Sequence, residues 1–153
     1  MTAMIQTAAM FLILGIATVV PAQQPTATQT TPAVQAFEHY EGVRTALSAD
    51  NYAGVAAHAK LLAGQVEGLG GAEAKKAAGT LAAAKNLDEA RAAFGELSTI
   101  LVPVFQAAAI PGTTAYMCAM KERPWMQRGD RIENPYYGKS MLTCGSVLPA
   151  KSK

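Results

Sequence analysis

Between Val34 and Ala108 the apolar residues recur at every third or fourth position, in four runs separated by short breaks. That period belongs to α-helices that bury one face, and it excludes strand-like alternation over most of the chain. The first run is Val34, Phe37, Tyr40, Val43 and Leu47, and Ser48-Ala49-Asp50-Asn51 breaks it. The second, Val55, Ala59, Leu62, Val66 and Leu69, alternates steps of four and three, as a narrow bundle seam does, and Gly70-Gly71 ends it. Residues 72–85 form a short alanine-rich helix whose apolar face is Ala74, Ala77, Ala78 and Leu81.

Asn86 is placed to cap a fourth helix, with Glu89 three residues on and Asp88 in the first turn, where negative charge suits the helix dipole. Its seam is Ala90, Phe94, Leu97, Leu101, Val104 or Phe105, and Ala108. Pro103 lies inside that pattern and is expected to kink the helix or end it about a turn early. Pro111-Gly112 closes the helical part. Short links between consecutive helices favour antiparallel neighbours, so the expected fold is all-α: an up-down four-helix bundle over 33–112. An irregular, sulfur-rich segment, 113–153, packs on it as part of the same domain. With 153 residues there is room for one such domain, and with only 7% aromatic residues its core is expected to be alanine-lined rather than aromatic.

The N-terminal side reads as an export signal. Residues 1–24 carry no charged side chain, and 8–20 are almost wholly apolar. That run is shorter than the roughly 20 residues needed to span a bilayer as a helix. It has the length of a signal-peptide core and leads to Val20-Pro21-Ala22, so a signal peptide over 1–22 is expected, cleaved after Ala22. Residues 23–32, built from Gln, Thr, Pro and Ala, read as a disordered spacer. The protein is therefore expected to be periplasmic or secreted. A formal charge of +2 is too mild for nucleic-acid binding, and no catalytic constellation stands out. Gly138-Lys139-Ser140 ends like a phosphate-binding loop but has Glu133 where that motif needs glycine, and Ser98 lacks the glycine elbow of a hydrolase.

Beyond Gly112 the chemistry changes. After cleavage every methionine left (Met117, Met120, Met126, Met141) lies between Tyr116 and Cys144, together with both cysteines, Cys118 and Cys144, and the only tryptophan, Trp125. Soft thiolates and thioethers select Cu(I) or Ag(I) over hard divalent ions. Cys118 and Met120, two apart, share a face in an extended strand, and Met141 and Cys144, three apart, share a turn. A hairpin-like closure through Asn134-Pro135-Tyr136-Tyr137-Gly138 would join the two pairs into one site. Met117, Met126 and His39 are further candidate ligands, and Trp125 could shield the ion. The competing reading is a Cys118–Cys144 disulfide, natural in an oxidising compartment and adding roughly 3 kcal/mol, with the methionines as packing. His39 and His58 read first as ordinary helix residues.

The stretch Tyr116-Met117-Cys118-Ala119-Met120, then Trp125, then Ile132-Glu133-Asn134-Pro135-Tyr136-Tyr137-Gly138-Lys139-Ser140-Met141-Leu142-Thr143-Cys144-Gly145 resembles the bacterial domain of unknown function 3347 family. Arg91, Phe94, Leu97 and Ser98 fit its fourth helix, and Ala119 departs from the proline usual there. The resemblance implies a periplasmic helical domain, also found fused to adaptor subunits of copper and silver efflux pumps. It implies Cys118, Met120, Met141 and Cys144 as the sulfur positions, with Trp125, Asn134, Tyr136 and Tyr137 shielding or anchoring them. The function expected is soft-metal binding, Cu(I) or Ag(I), in copper tolerance or delivery, with a metal-efflux adaptor or other periplasmic copper protein as partner. The alternative is a non-catalytic structural or interaction module pinned by the disulfide.

Overall fold

The chain adopts four helices followed by a small sheet: α1 (Pro32–Ser48), α2 (Tyr52–Ala63), α3 (Glu67–Ala83), α4 (Leu87–Ala107), β1 (Thr113–Cys118), β2 (Arg123–Arg128), a 3-10 turn (Gly138–Ser140) and β3 (Ser146–Val147). This is a computed structural model, and it describes residues 30–149. The expected signal peptide and most of the expected spacer lie outside the described residues. The last two spacer positions begin the fold: the Thr31 hydroxyl accepts the Val34 N–H at 3.3 Å and Pro32 takes the first helical turn, where its missing N–H costs nothing.

The helices pack antiparallel in chain order. Gly54 lies against Ala46, and Gly42 against His58, across α1 and α2. The Tyr52 hydroxyl donates to the Ala84 carbonyl at the end of α3, and Gly70 meets Ile100 of α4. Tyr40 of α1 meets Ser98 of α4 at 2.8 Å. Most of the predicted seam is buried (Val43, Leu47, Val55, Ala59, Leu62, Ala74, Ala78, Leu81, Ala90, Phe94, Leu97 and Leu101), while Val34, Leu69, Ala77 and Val104 are half-buried and Ala108, just past α4, is exposed. Asn86 caps α4 as expected, accepting the Glu89 N–H at 2.9 Å, while the Glu89 carboxylate reaches back to Asn86 Nδ2 and the Lys85 N–H.

Two expectations about the helices are corrected, the end of the second helix and the effect of Pro103. The second helix ends at Ala63 rather than at Gly70, because Gly64 and Gln65 turn the chain there; Val66 stays fully buried, so the apolar rhythm continues across a break in the backbone. The break expected at Gly70-Gly71 is present, since Gly71, with φ 67° and ψ −159°, separates the first turn of α3 from the alanine-rich helix that follows. Pro103 does not end α4, which runs to Ala107; it sits on the exposed face, where water can reach the carbonyl it leaves without an N–H partner.

The largest correction is beyond Gly112. The fold is not all-α, and the tail is not an irregular coil. β1 and β2 form an antiparallel hairpin with Tyr116 opposite Trp125 and Cys118 opposite Arg123, and β3 adds on the far side of β1, in the order β2-β1-β3. With two cysteines in the chain, the segment is a sheet rather than a sulfur-rich coil. The aromatic side chains explain why it forms. Few as they are, they gather where the hairpin crosses α1 and α4. Phe37, Tyr40, Phe94 and Phe105 have ring centroids 4.8–5.9 Å apart, and Tyr116, Trp125 and Tyr136 continue the cluster outward. All seven are buried, so the core is alanine-lined between helices and aromatic under the hairpin. Tyr40 Oη accepts the Met126 N–H, Arg123 pairs with Glu96, and Arg128 pairs with Glu38, fastening β2 across both helices.

Candidate functional site

The turn that closes the hairpin decides the fate of the first sulfur pair. β1 stops at Cys118, and Ala119 to Glu122 make the turn, with Glu122 at φ 52°. The hairpin therefore closes here and not through residues 134–138. Cys118 is fully buried as the last strand residue, whereas Met120 stands on the turn tip with 60% of its surface exposed. The two do not share a strand face, since the strand has ended between them. Met117 points to the other side of β1 from Cys118 and is half-buried opposite Pro124 and Ser146. Met126 is buried in the core cluster against the bundle, away from any shared ligand position.

The second pair arrives by a different route. Asn134 is completely buried and organises the loop. Its side-chain oxygen accepts the Tyr136 N–H at 2.7 Å, its side-chain nitrogen donates to the Cys144 carbonyl at 2.6 Å, and its own N–H donates to the Leu142 carbonyl at 2.6 Å. The Cys144 N–H donates to the Met141 carbonyl at 3.2 Å, closing one turn that holds these two half-buried residues. β3 then pairs with β1, Tyr116 opposite Val147 and Met117 opposite Ser146. Carried on by one residue, that register sets Cys118 opposite Gly145, and the strand ends there because Ala119 begins the turn. Gly145 is required there: a Cβ on it would lie 2.4 Å from the Trp125 ring. Cys144 is thus next in sequence to the residue facing Cys118, with Met141 one turn away. Both thiols are free, and the Cys118–Cys144 disulfide of the competing reading is not formed.

The anchoring residues are all structural in their contacts. Trp125 is fully buried, stacks on Tyr116 at 5.3 Å and donates from Nε1 to Gln127 Oε1 at 2.9 Å. The Tyr136 hydroxyl donates to the Pro124 carbonyl, and burial holds its pKa well above the usual phenol range. Burial does the same to Tyr40, against the opposing effect of its bond to Ser98. Tyr137 lies half-buried under the Lys121 ammonium, 5.2 Å from ring centre to nitrogen. His39, a further candidate ligand in the sequence, has its ring 6.0 Å from that of His58 on α2. Among the described residues no three His, Cys, Asp or Glu side chains converge into a metal-holding group.

Sequence reasoning missed the polar posts behind this arrangement. Gln127, almost fully buried, accepts from Trp125 and from the Glu133 N–H and donates to the Arg131 carbonyl at 2.6 Å. Its position two residues after Trp125 in a strand was the available signal. Arg44 is buried between Glu41, at 2.7 Å, and Glu133, at 2.9 Å, and so ties α1 to the loop before Asn134. Arg91 pairs with Asp50 and donates to the Pro135 carbonyl at 3.1 Å. Nothing local to Arg44 or Arg91 distinguishes them from solvated helix charges.

The architecture defines a helical bundle that carries a three-stranded sheet pinned across α1 and α4. The chain belongs to the family described as protein of unknown function (DUF3347), whose model matches residues 36–111. That match falls on the helices and ends before β1, although the tail carried most of the resemblance in the sequence. No curated protein and no solved structure matches the chain.

Proposed function

We propose that this protein is a periplasmic soft-metal binder that holds Cu(I) or Ag(I) in copper tolerance or delivery, without catalysing a reaction. What supports the reading is the β1–β3 pairing, which brings the backbone next to Cys144 to the end of the strand that carries Cys118, with both thiols free and Met141 on the same turn as Cys144. Thiolate and thioether donors suit a polarizable d¹⁰ ion, and Cys118, Cys144 and Met141 are the residues of that chemistry on these neighbouring segments. Met120, exposed on the hairpin turn, is the thioether placed to meet an incoming ion or a partner such as a metal-efflux adaptor.

A second reading has its own observation. Cys118 is wholly buried on the strand face that carries Tyr116 and Trp125, which is where a packing residue sits. On that reading the sheet is a structural or protein-interaction module. Titration of the reduced protein with Cu(I) against a competing chelator separates the two. One Cu(I) per chain is expected, with binding lost in the Cys118→Ser, Cys144→Ser double variant and weakened in acid, because thiolate ligation releases protons. Equal, poor competition by wild type and double variant would leave the interaction module standing.

A further inference from the structure

The only two histidines of the chain stand together on neighbouring helices. His39 on α1 and His58 on α2 have ring centroids 6.0 Å apart and ring planes inclined at 42°. Both are half-buried at the solvent edge of the α1–α2 seam. The His58 ring reaches this place only because residue 42 is glycine: a Cβ there would lie 2.4 Å from Nδ1 and 2.6 Å from Cε1. Nδ1 of His58 is buried without a hydrogen-bond partner, and no described residue bonds to either imidazole. The rings are therefore close, positioned by packing, and not committed to another group.

We propose that His39 and His58 form a two-imidazole site for a borderline divalent cation, the remaining positions being filled by water. Two imidazoles on one zinc-sized ion, each nitrogen about 2.0–2.1 Å from it, have ring centres roughly 5 Å apart at a tetrahedral angle, so the 6.0 Å seen here closes with a shift of about 1 Å between two half-buried side chains. Imidazole nitrogen suits Ni²⁺, Cu²⁺ and Zn²⁺. The site is independent of the thiol reading, because its donors are nitrogens on α1 and α2 and the thiols are on the sheet. An ion held across two helices binds the folded chain more tightly than the unfolded one, so it also staples α1 to α2.

The test uses Ni²⁺, which thiols do not reduce, added to the purified chain. Two imidazole Cε1–H proton signals are available, one per histidine, and the thermal midpoint is followed in parallel. Both signals should broaden together and saturate at one equivalent, with a rise in midpoint. His39→Ala and His58→Ala should each weaken binding about 100-fold, through loss of chelation, and abolish the midpoint rise. Cys144→Ser should change neither result. Broadening of one signal alone would overturn the proposal, as would either histidine variant binding like wild type, dependence on Cys144, or no binding at about 1 mM Ni²⁺.

Discussion

Removing the Asn134 side chain is the most direct way to ask whether the tail is a built structure or a loose cover. Asn134→Ala deletes two side-chain hydrogen bonds, one to the Tyr136 N–H at 2.7 Å and one to the Cys144 carbonyl at 2.6 Å. The Tyr136 N–H is buried and is left without a partner, whereas the Cys144 carbonyl is half-exposed and recovers water. A buried group left unsatisfied costs roughly 1–3 kcal/mol, and the second lost bond adds less, so the total is about 2–4 kcal/mol. Urea unfolding followed by the fluorescence of Trp125, the single tryptophan and fully buried, reads this loss. The Cys144 thiol should also react faster with a disulfide reagent, since its carbonyl is no longer anchored. Asn134→Asp sharpens the test. It keeps the acceptor for Tyr136 but turns a carboxylate oxygen toward the Cys144 carbonyl, so stability should fall at neutral pH and return in acid, when the carboxyl regains a proton to donate. A loss under about 1 kcal/mol for Asn134→Ala, with thiol rates unchanged, would refute the reading of Asn134 as organiser of the loop.

Leu62→Ala and Leu97→Ala, both at fully buried seam positions, should each cost about 2–5 kcal/mol in urea unfolding through the cavity they leave. Gly145→Ala should cost about 1–3 kcal/mol, because its Cβ meets the ring of a buried tryptophan that has no room to yield; an unchanged unfolding midpoint would contradict the packing. Glu41 tests the buried charge cluster through pH. Burial raises its carboxyl above the ordinary value of 4.5, against the opposing pull of Arg44, so the folded chain holds that proton more tightly than the unfolded chain does. Its contribution is fully present below the ordinary carboxylate range and is lost as pH rises through the raised value. Glu41→Gln, which has no proton to lose, should flatten that part of the stability–pH curve, and an unaltered slope across urea midpoints would count against it.

The four helices were legible because their information is local and periodic. Steps of three and four mark a buried stripe whatever lies on the other side, and Asn86 with Glu89 is a cap that one turn of chain can satisfy by itself. Break positions were less legible. Val66 keeps the apolar rhythm although the helix has already ended at Ala63, since burial depends on where a side chain arrives and not on the backbone that delivers it.

The tail divides along the same line. Its residues, Cys118, Met141 and Cys144, could be picked from the sequence as the ones with distinctive chemistry, and the Met141–Cys144 turn follows from a spacing of three. Their arrangement could not. Whether Met120 shares a face with Cys118 depends on a turn beginning at Ala119, and where Cys144 comes to rest depends on β3 pairing with β1. The partner of His39 depends on how α1 packs against α2 at Gly42. Helix periodicity is a property of consecutive residues. Strand register, the pairing of Arg44 with Glu133 and the meeting of two histidines are relations between residues far apart in the chain, decided only when the helices close around their aromatic core.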